Sequence, residues 1–264
     1  MSRVRVKICG VRTKEAALKA AEAGADFVGL IFAKSKRQVT TEHAAEIVMA
    51  LDRWAGPASV GDSTRGITRP PHLPSDMTLV DWFQAWTEAL ASAPKGRPLV
   101  VGVFSNQSVA EINEAVTKAS LDVVQLHGEE PLDYARQITV PVIRAIHVGE
   151  GDTAHTIHAQ IVAGHYSFIL LDTKVSGVAQ QGGLGVSFDW TVARSLVDER
   201  IPFLVAGGLT PENVSDAVEK IEPWCVDVSS GVETDGTKDL AKVESFVTNA
   251  NRRRDEVVYE MRRE

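Results

Sequence analysis

The feature that most constrains the fold is a repeat, in which a short apolar segment is followed by a segment with helical periodicity. Eight such pairs follow one another along the 264 residues. The predicted strands are residues 4–9, 27–33, 99–104, 123–126, 142–146, 168–171, 203–206 and 225–228. Strands that alternate with helices form parallel sheets, and eight successive units close into a barrel. The sequence therefore predicts one α/β domain over residues 1–264, a (β/α)8 TIM barrel.

An open, doubly wound sheet is the alternative architecture for alternating strands and helices. Such sheets usually have about five or six strands and a glycine-rich turn, G-x-G-x-x-G, after the first strand. Here the first turn reads C-G-V-R-T and lacks that pattern. The barrel is therefore the favoured prediction.

One segment, residues 55–97, interrupts the repeat between the second helix and the third strand. Its first part, residues 55–75, is rich in glycine, proline and serine and is predicted to be irregular. Its second part carries one apolar stripe at helical spacing, formed by Leu79, Trp82, Phe83, Trp86 and Leu90. An insert at this point enters at the amino-terminal end of the barrel, away from the usual active-site end. We expect an extra helix that covers the barrel, and a partner-binding helix is the alternative.

Charge and cysteine content exclude several classes of protein. The net charge of −7 argues against nucleic-acid binding, which needs a basic surface. No apolar run approaches the roughly 20 residues that span a bilayer, and the first strand begins too early to leave room for a signal peptide. Two cysteines far apart make no disulfide framework, so we expect a cytoplasmic protein. Residues 250–264 are predicted to be a charged, solvated helical extension.

Strand side chains alternate between the two faces of a sheet, so parity predicts which residues point into the barrel. In the first strand the apolar positions should face the helices, which leaves Lys7 and Cys9 pointing inward. Cys9 ends its strand, at the carboxyl rim where barrel enzymes carry their chemistry. Asp172 has the corresponding position after the sixth strand. A thiol and a carboxylate on strands 1 and 6 can flank one pocket, as a base and an acid must.

Polar residues also gather at the same rim on two other strands. Gln125 and His127 share one side of the fourth strand, and Cys225, Asp227 and Ser229 share one side of the eighth. The structural interpretations are that Cys225 is packing and that Lys7 forms an ion pair with Asp227, since strands 1 and 8 are neighbours in a closed barrel. An aspartate that ends a strand, such as Asp172, is also common as a turn residue.

Glycine-rich turns end strands 7 and 8. The seventh strand runs into Gly207 and Gly208, and the eighth runs into Ser229, Ser230 and Gly231. Bare backbone N–H groups after these two strands form the usual phosphate site of such barrels. The pattern predicts a phosphorylated small-molecule ligand.

A series of motifs falls at successive strand ends: V-K-I-C-G, F-A-K-S-K-R, V-G-V-F, V-Q-L-H-G, Q-G-G-L-G-V-S-F-D-W, L-V-A-G-G-L-T-P-E-N-V and D-V-S-S-G-V-E. Together they resemble the phosphoribosylanthranilate isomerase family over nearly all the chain except residues 55–97 and the tail. The resemblance implies a TIM barrel of the ribulose-phosphate-binding type and an aldose–ketose isomerase, an intramolecular oxidoreductase of tryptophan biosynthesis. The implied reaction is the Amadori rearrangement of N-(5-phosphoribosyl)anthranilate to 1-(2-carboxyphenylamino)-1-deoxyribulose 5-phosphate. It implies no cofactor and no metal.

The resemblance also implies roles for individual residues. Asp172 resembles the general acid that protonates the furanose ring oxygen, and Cys9 the general base that removes the proton from sugar C2. Lys7 is the expected source of positive charge that lowers the pKa of the thiol. Arg37 resembles the residue that holds the anthranilate carboxylate, and the remaining pocket residues are His127 and Asp227.

The phosphate-binding positions implied by the family include Gly183 beside Gly208, Ser229 and Ser230, and the run 182–185 is expected to form a mobile loop over the site. Two positions depart from the family pattern. Lys36 occupies a position where proline is usual, and Leu184 one where threonine is common. They affect the predicted shape of the loop before Arg37 and the contacts to substrate.

Other functions remain open from the sequence. Indole-glycerol-phosphate synthase and thiamin-phosphate synthase are also phosphate-binding barrels, but the former needs a lysine acid and a glutamate where this rim offers Cys9 and Asp172. A catalytically silent barrel that acts as a scaffold is a second alternative. Since this activity is fused to neighbouring pathway enzymes in some organisms, a fused domain or other tryptophan-pathway enzymes are the expected protein partners.

Overall fold

A computed structural model describes residues 3–56, 77–91, 96–173 and 190–252. Eight parallel strands form a closed barrel in chain order. They are β1 (Arg5–Cys9), β2 (Phe27–Ile31), β3 (Leu99–Phe104), β4 (Val123–Leu126), β5 (Val142–Val148), β6 (Phe168–Thr173), β7 (Leu204–Ala206) and β8 (Cys225–Val228). The predicted TIM barrel is confirmed.

The helices of the described residues are α1 (Lys14–Ala23), α2 (Thr41–Ala55), α3 (Leu79–Ala91), α4 (Val109–Ala119), α5 (Tyr134–Gln137), α6 (Ala154–His158), α7 (Trp190–Asp198), α8 (Val214–Ile221) and α9 (Leu240–Ala250). Local signals set several of their ends. Thr13 caps α1 by accepting a hydrogen bond from the N–H of Ala16, and Ser108 and Glu111 form a capping box on α4. No helix of the described residues has the length and apolar character needed to cross a membrane.

The start of α8 differs from the sequence prediction. The T-P-E-N motif predicts a helix capped by Thr210 with Pro211 as its first residue, but α8 begins at Val214. The reason is a local hydrogen-bond network: the side chain of Asn213 accepts from the N–H of Thr210 and donates to the carbonyl of Gly208. These bonds hold residues 208–213 as a loop at the end of β7.

Helix α3 lies across the amino-terminal end of the barrel. Its buried side chains are Trp82, Phe83, Trp86 and Leu90. The indole N–H of Trp82 donates to the carbonyl of Tyr166 at 2.7 Å, and the ring of Trp86 meets the edge of Phe168, the first residue of β6, at 6.3 Å. Aromatic side chains of α3 therefore pack against the start of β6 at this end of the barrel, and the predicted site lies at the opposite, carboxyl end. Residues 57–76 of the insert and residues 253–264 of the tail lie outside the described residues.

After β8 the chain forms a short 3-10 helix (Ser230–Val232) and then a hairpin of β9 (Glu233–Thr234) with β10 (Thr237–Lys238). Asp239 caps α9 by accepting from the N–H groups of Ala241 and Lys242. The hairpin lies at the carboxyl end of the barrel and carries two charged residues into the site.

Candidate active site

Cys9 is the last residue of β1 and its side chain is almost buried, with 7% of the residue exposed. In the register of β1 and β2 it lies opposite Gly29. A Cβ atom at Gly29 would lie 2.8 Å from the sulfur of Cys9, closer than real Cβ contacts. Gly29 is therefore the residue that leaves room for the thiol.

Lys7 and Asp227 form a buried ion pair beneath the thiol. They are register partners on β1 and β8, with Lys7 Nζ 2.8 Å from Asp227 Oδ2. The predicted pairing is confirmed. Burial alone would lower the pKa of Lys7, but the charges of Asp227 and Cys9 outweigh burial and raise it. Lys7 is therefore a permanent cation in the barrel interior.

The pKa of the Cys9 thiol is raised above its usual value. Burial is the largest cause, the charge of Lys7 opposes it, and the carboxylate of Asp227 adds to it. The prediction that Lys7 gives the thiol a low pKa is therefore wrong in its net result, although the contribution of Lys7 has the predicted direction. Cys9 is a thiol, not a thiolate, at neutral pH before substrate binds.

Asp172 lies in β6 between two histidines at the carboxyl rim. Its Oδ2 is 3.2 Å from His127 Nε2 and 3.6 Å from His147 Nδ1. Burial would raise the pKa of Asp172, but the hydrogen bonds and charges of the two histidines hold it well below its usual value. The group is therefore an ionised carboxylate with two imidazoles against the same oxygen.

Both imidazoles are oriented by further contacts. His127 Nδ1 lies 2.9 Å from Gln125 Nε2, so the predicted placement of Gln125 and His127 on one side of β4 is confirmed. His147 Nε2 lies 3.1 Å from the carbonyl oxygen of His127. Because a carbonyl only accepts hydrogen bonds, this nitrogen of His147 carries a proton, and Nδ1 is the nitrogen that faces Asp172.

Arg37 is held against the hairpin that follows β8. Its Nε and one terminal nitrogen donate to the two carboxylate oxygens of Glu233 at 2.6 and 2.7 Å. Lys238 donates to the same carboxylate at 2.8 Å and to the carbonyl of Ser229 at 2.7 Å. Burial would raise the pKa of Glu233, but the two cations lower it to about 2.

The backbone packs closely between Cys9 and this network. Gly10 follows the thiol with a φ of +72°, and a Cβ there would lie 2.7 Å from the Cδ of Arg37 and 2.9 Å from the hydroxyl of Ser229. A side chain at Gly10 would therefore displace Arg37 and Ser229. The loops after β1, β2 and β8 thus meet beside the thiol.

The turns after β7 and β8 also touch each other. Gly207 and Gly208 have left-handed φ angles of 105° and 62°. A Cβ on Gly231 would lie 1.9 Å from the carbonyl oxygen of Leu209, so the two turns fit together only with glycine at this position. Ser229 and Ser230 begin the turn after β8, beside this contact. Gly183, Leu184 and the rest of the predicted loop 182–185 lie outside the described residues.

Sequence reasoning missed three residues of the site. His147 was missed because its predicted strand ended at Ile146, whereas β5 continues to Val148 and places His147 opposite Asp172 in the register with β6. Glu233 and Lys238 were missed because only the β9–β10 hairpin brings them to Arg37. His147 directly follows the predicted strand 142–146, so a prediction that extended this strand by one residue would have included it.

A family model described as N-(5'-phosphoribosyl)anthranilate (PRA) isomerase matches residues 65–249. An N-(5'-phosphoribosyl)anthranilate isomerase of Dehalococcoides mccartyi is 39% identical over 249 residues, which cover 92% of this chain and 94% of that protein. A multifunctional tryptophan biosynthesis protein of Phycomyces blakesleeanus is 45% identical over 262 residues. That match covers 94% of this chain, whereas the chain spans only 32% of the longer protein.

Solved structures agree with these relatives. The crystal structure of phosphoribosyl anthranilate isomerase from Thermotoga maritima has a TM-score of 0.66 and 34% identity, covering 94% of this chain and 98% of that one. A phosphoribosyl anthranilate isomerase in complex with reduced 1-(o-carboxyphenylamino)-1-deoxyribulose 5-phosphate has a TM-score of 0.64 and 32% identity, with the same coverage. The chain therefore belongs to the N-(5'-phosphoribosyl)anthranilate isomerase family, as its motifs predict.

Proposed function

We propose that this chain converts N-(5'-phosphoribosyl)anthranilate to 1-(2-carboxyphenylamino)-1-deoxyribulose 5-phosphate, with Asp172 as general acid and Cys9 as general base. The observation that carries the proposal is a buried thiol ending β1 and a carboxylate near the end of β6, both at the same open end of the barrel. Strands β7 and β8 lie between β6 and β1 in the barrel. A sugar bound between β1 and β6 would therefore have Cys9 on one side and Asp172 on the other. Membership of the N-(5'-phosphoribosyl)anthranilate isomerase family supports this reaction.

The first step is ring opening. A proton passes from Asp172 to the furanose ring oxygen, the C1–O bond breaks, and the lone pair of the substrate nitrogen forms a C1=N double bond. The two histidines keep Asp172 ionised at rest, so its proton has to be supplied by an adjacent imidazole. His127 Nε2, at 3.2 Å, is the nearer of the two donors.

The second step is removal of the proton on C2 by Cys9. The C–H electron pair forms a C1=C2 bond, and the C1=N pair returns to nitrogen, which gives an enolamine. The enolamine becomes the ketone when its hydroxyl proton is lost and C1 is protonated. The cationic C1=N group formed in the first step is adjacent to C2, and its positive charge favours the thiolate that burial disfavours in the free protein.

Lys7 and Asp227 support this base from below. The pair puts a positive charge near the sulfur that lowers the pKa of Cys9, and Asp227 keeps that lysine charged. One oxygen of Asp227, Oδ1, is buried and has no hydrogen-bond partner among the described residues. A sugar hydroxyl is a group that this oxygen can accept from, and this supports a place for Asp227 in the substrate pocket.

Arg37 is assigned to the anthranilate carboxylate. Arg37 donates to Glu233 through Nε and one terminal nitrogen, and its other terminal nitrogen is left for the substrate. This arrangement fixes the guanidinium plane before substrate binds, so one strong charge-assisted hydrogen bond forms with little loss of side-chain entropy. Lys36, which stands before Arg37 where the family usually has proline, accepts a hydrogen bond from Arg12 through its backbone carbonyl at 3.2 Å.

The phosphate is assigned to the adjoining turns after β7 and β8. The residues are Gly207, Gly208, Ser229, Ser230 and Gly231, with Gly183 added from the family pattern. The hydroxyl of Ser229 is buried and has no hydrogen-bond partner within the described part of the chain, as expected of a group that waits for a ligand. Backbone N–H groups in tight, glycine-containing turns are suited to an anion.

The test is turnover of freshly prepared N-(5'-phosphoribosyl)anthranilate, followed by the loss of its anthranilate-type fluorescence. We expect Cys9→Ala and Asp172→Asn each to lower kcat by about 10²–10⁴-fold, the usual contribution of a general base or acid. Cys225→Ala is the matched control, because Cys225 is a second buried thiol that lies deeper in β8. Equal activity of wild type and Cys9→Ala would remove the thiol from the mechanism, and no turnover by wild type would remove the function.

We also propose that the chain acts in the cytoplasm, as part of or beside other enzymes of tryptophan biosynthesis. Support comes from the multifunctional relatives, of which the chain spans 32% in Phycomyces blakesleeanus and 29% in Schizosaccharomyces pombe. Co-purification of the native protein with neighbouring pathway activities tests this proposal. Recovery of the isomerase activity alone, at the mass of a single barrel, contradicts it.

A further inference from the structure

Three side chains at the carboxyl rim bring one donor atom each to a common point. His127 Nε2, His147 Nδ1 and a carboxylate oxygen of Asp172 all lie within 4.8 Å of one another. The oxygen is 3.2 Å from the first nitrogen and 3.6 Å from the second. Tetrahedral zinc with ligands at 2.0–2.2 Å separates those ligands by about 3.3 Å. The two distances from the oxygen are close to that separation, and with the two nitrogens within 4.8 Å of each other the three donors surround a point that one metal ion can occupy.

The three donors are held by the barrel itself. Asp172 and His147 are register partners on the neighbouring strands β6 and β5, and His127 directly follows β4. Parallel strands of a closed barrel cannot slide past one another without breaking their ladder of hydrogen bonds. The donor set is therefore rigid, and its side chains are 22–32% exposed toward the open end, where water can complete the coordination.

Each of the two histidines has a neighbouring polar group beside its second ring nitrogen, as metal-binding histidines usually do. Imidazoles that bind a metal usually donate their second N–H to a carbonyl, a carboxylate or water. His147 does so through Nε2, which lies 3.1 Å from the carbonyl oxygen of His127. Its Nδ1 therefore presents a lone pair to the common point whenever the ring is neutral.

His127 has an equivalent partner in Gln125. The amide oxygen of Gln125 is buried and has no hydrogen-bond partner among the described residues, while its nitrogen faces His127 Nδ1 at 2.9 Å. A half-turn of the amide, whose two ends have nearly the same shape, puts the oxygen next to Nδ1 instead. Nδ1 then donates its proton to Gln125, and Nε2 is left with the lone pair that a metal binds.

We propose that His127, His147 and Asp172 bind one divalent transition-metal ion, with Zn²⁺ as the probe, and that this binding inhibits the isomerase. Two imidazoles and one carboxylate suit Zn²⁺, Co²⁺ or Fe²⁺, whereas Mg²⁺ and Ca²⁺ take oxygen ligands. The inhibitory part rests on the proposed function, because the metal occupies the carboxylate assigned as general acid. The binding part stands on the geometry alone.

Binding is tested by calorimetric titration of the chelator-treated protein with Zn²⁺ and by the visible absorption of four-coordinate Co²⁺. We expect one equivalent to bind to wild type and the affinity to fall by about tenfold or more in His147→Asn and in Asp172→Asn. Two variants serve as controls: Cys9→Ser tests a thiolate site, and His158→Asn removes a surface histidine whose Nε2 lies 2.8 Å from Glu199. Both controls should bind as wild type does.

Three results would overturn the binding proposal: no binding by wild type, equal binding by His147→Asn, or a loss of binding in Cys9→Ser. Circular dichroism shows whether each variant is folded, and Asp172→Asn provides an independent test if His147→Asn is not. For the inhibition, we expect Zn²⁺ to raise KM and excess chelator to restore activity. If the protein turns over substrate without metal and Zn²⁺ fails to inhibit it, only the inhibitory part is overturned. If the protein shows no turnover even with chelator present, the result counts against the proposed function.

Discussion

Lys7 and Asp227 face each other on β1 and β8 with 2.8 Å between Nζ and Oδ2, and neither side chain has more than 6% of its surface exposed. The two charges act on the sulfur of Cys9 with opposite signs: the lysine lowers the pKa of the thiol and the aspartate raises it. Substitutions at these two positions should therefore move one measurable property in opposite directions.

The first prediction concerns alkylation of Cys9 by iodoacetamide at neutral and mildly alkaline pH. A raised pKa means that little thiolate is present at neutral pH, so the rate should increase about tenfold per pH unit until the pKa is reached. Lys7→Met should slow alkylation at each pH, and Asp227→Asn should speed it over the pH range in which Lys7 is protonated. Mass spectrometry of the modified peptide, in a Cys225→Ala background, separates the two thiols. A change in the same direction in both variants would contradict the electrostatic account.

The second prediction concerns the space around the sulfur. Gly29→Ala places a Cβ 2.8 Å from the sulfur of Cys9 and must displace it, so we expect kcat to fall. Overpacking of this kind typically costs about 1–3 kcal/mol of unfolding free energy. Gly149→Ala is the control, since its nearest new contact is 3.8 Å away, and its stability should stay within about 0.5 kcal/mol of wild type. Unchanged kcat in a folded Gly29→Ala protein would show that the position of the thiol is not critical.

The third prediction concerns a buried ion-pair network between α2 and the barrel. Arg97 donates to Asp52 at 2.6 Å and to Asp122 at 2.7 Å, and Asp122 also accepts from the N–H of Val100. Arg97→Met leaves Asp122 buried without its cation, which should lower the unfolding free energy by about 3–5 kcal/mol. Arg194→Met, which breaks an exposed pair with Asp198, should cost less than about 1 kcal/mol.

A second variant separates charge from packing at Asp122. In the double variant Arg97→Met/Asp122→Asn the unpaired charge is gone, while the amide oxygen still accepts from Val100. Chemical denaturation should show that part of the lost stability returns. A double variant less stable than Arg97→Met would mean that burial of the charge is not the cause.

The fourth prediction is a pH dependence of stability. Glu233 has a folded-state pKa of about 2, against about 4.3 for an unperturbed glutamate. A carboxylate with a depressed pKa stabilises the fold fully above the unfolded value and loses that contribution as the pH falls toward the folded value. The stability difference between wild type and Glu233→Gln should be constant above about pH 5 and shrink steadily between about pH 4 and 2. A difference that does not change over this range would contradict the ion pairs with Arg37 and Lys238.

The fold and part of the site could be predicted from sequence because they follow from local pattern. Short, mostly apolar segments of four to six residues define β3, β4 and β8, whose bounds agree with the predicted strands. Closure of the barrel then makes β1 and β8 neighbours, which is enough to pair Lys7 with Asp227.

Other parts of the site depend on properties that no local pattern carries. The pKa of Cys9 is decided by the depth of burial against the charge of Lys7, and the sequence indicates the charge but not the depth. The partner of Arg37 comes from a hairpin 196 positions away, so its identity needs the fold. His147, the second histidine beside Asp172, was missed because β5 is two residues longer than the predicted strand. Strand ends are the positions that sequence patterns predict least well.

The pair between β1 and β8 joins residues 220 positions apart in the chain. Contacts of such long range form late in folding, because the loop they close must be ordered first. Until the eighth strand docks, β1 lacks one of its two neighbours and Cys9 lacks the burial that raises the pKa of its thiol in the closed barrel. Docking of the last strand turns a reactive surface group into a shielded one, so the susceptibility of Cys9 to oxidants reports the completion of folding.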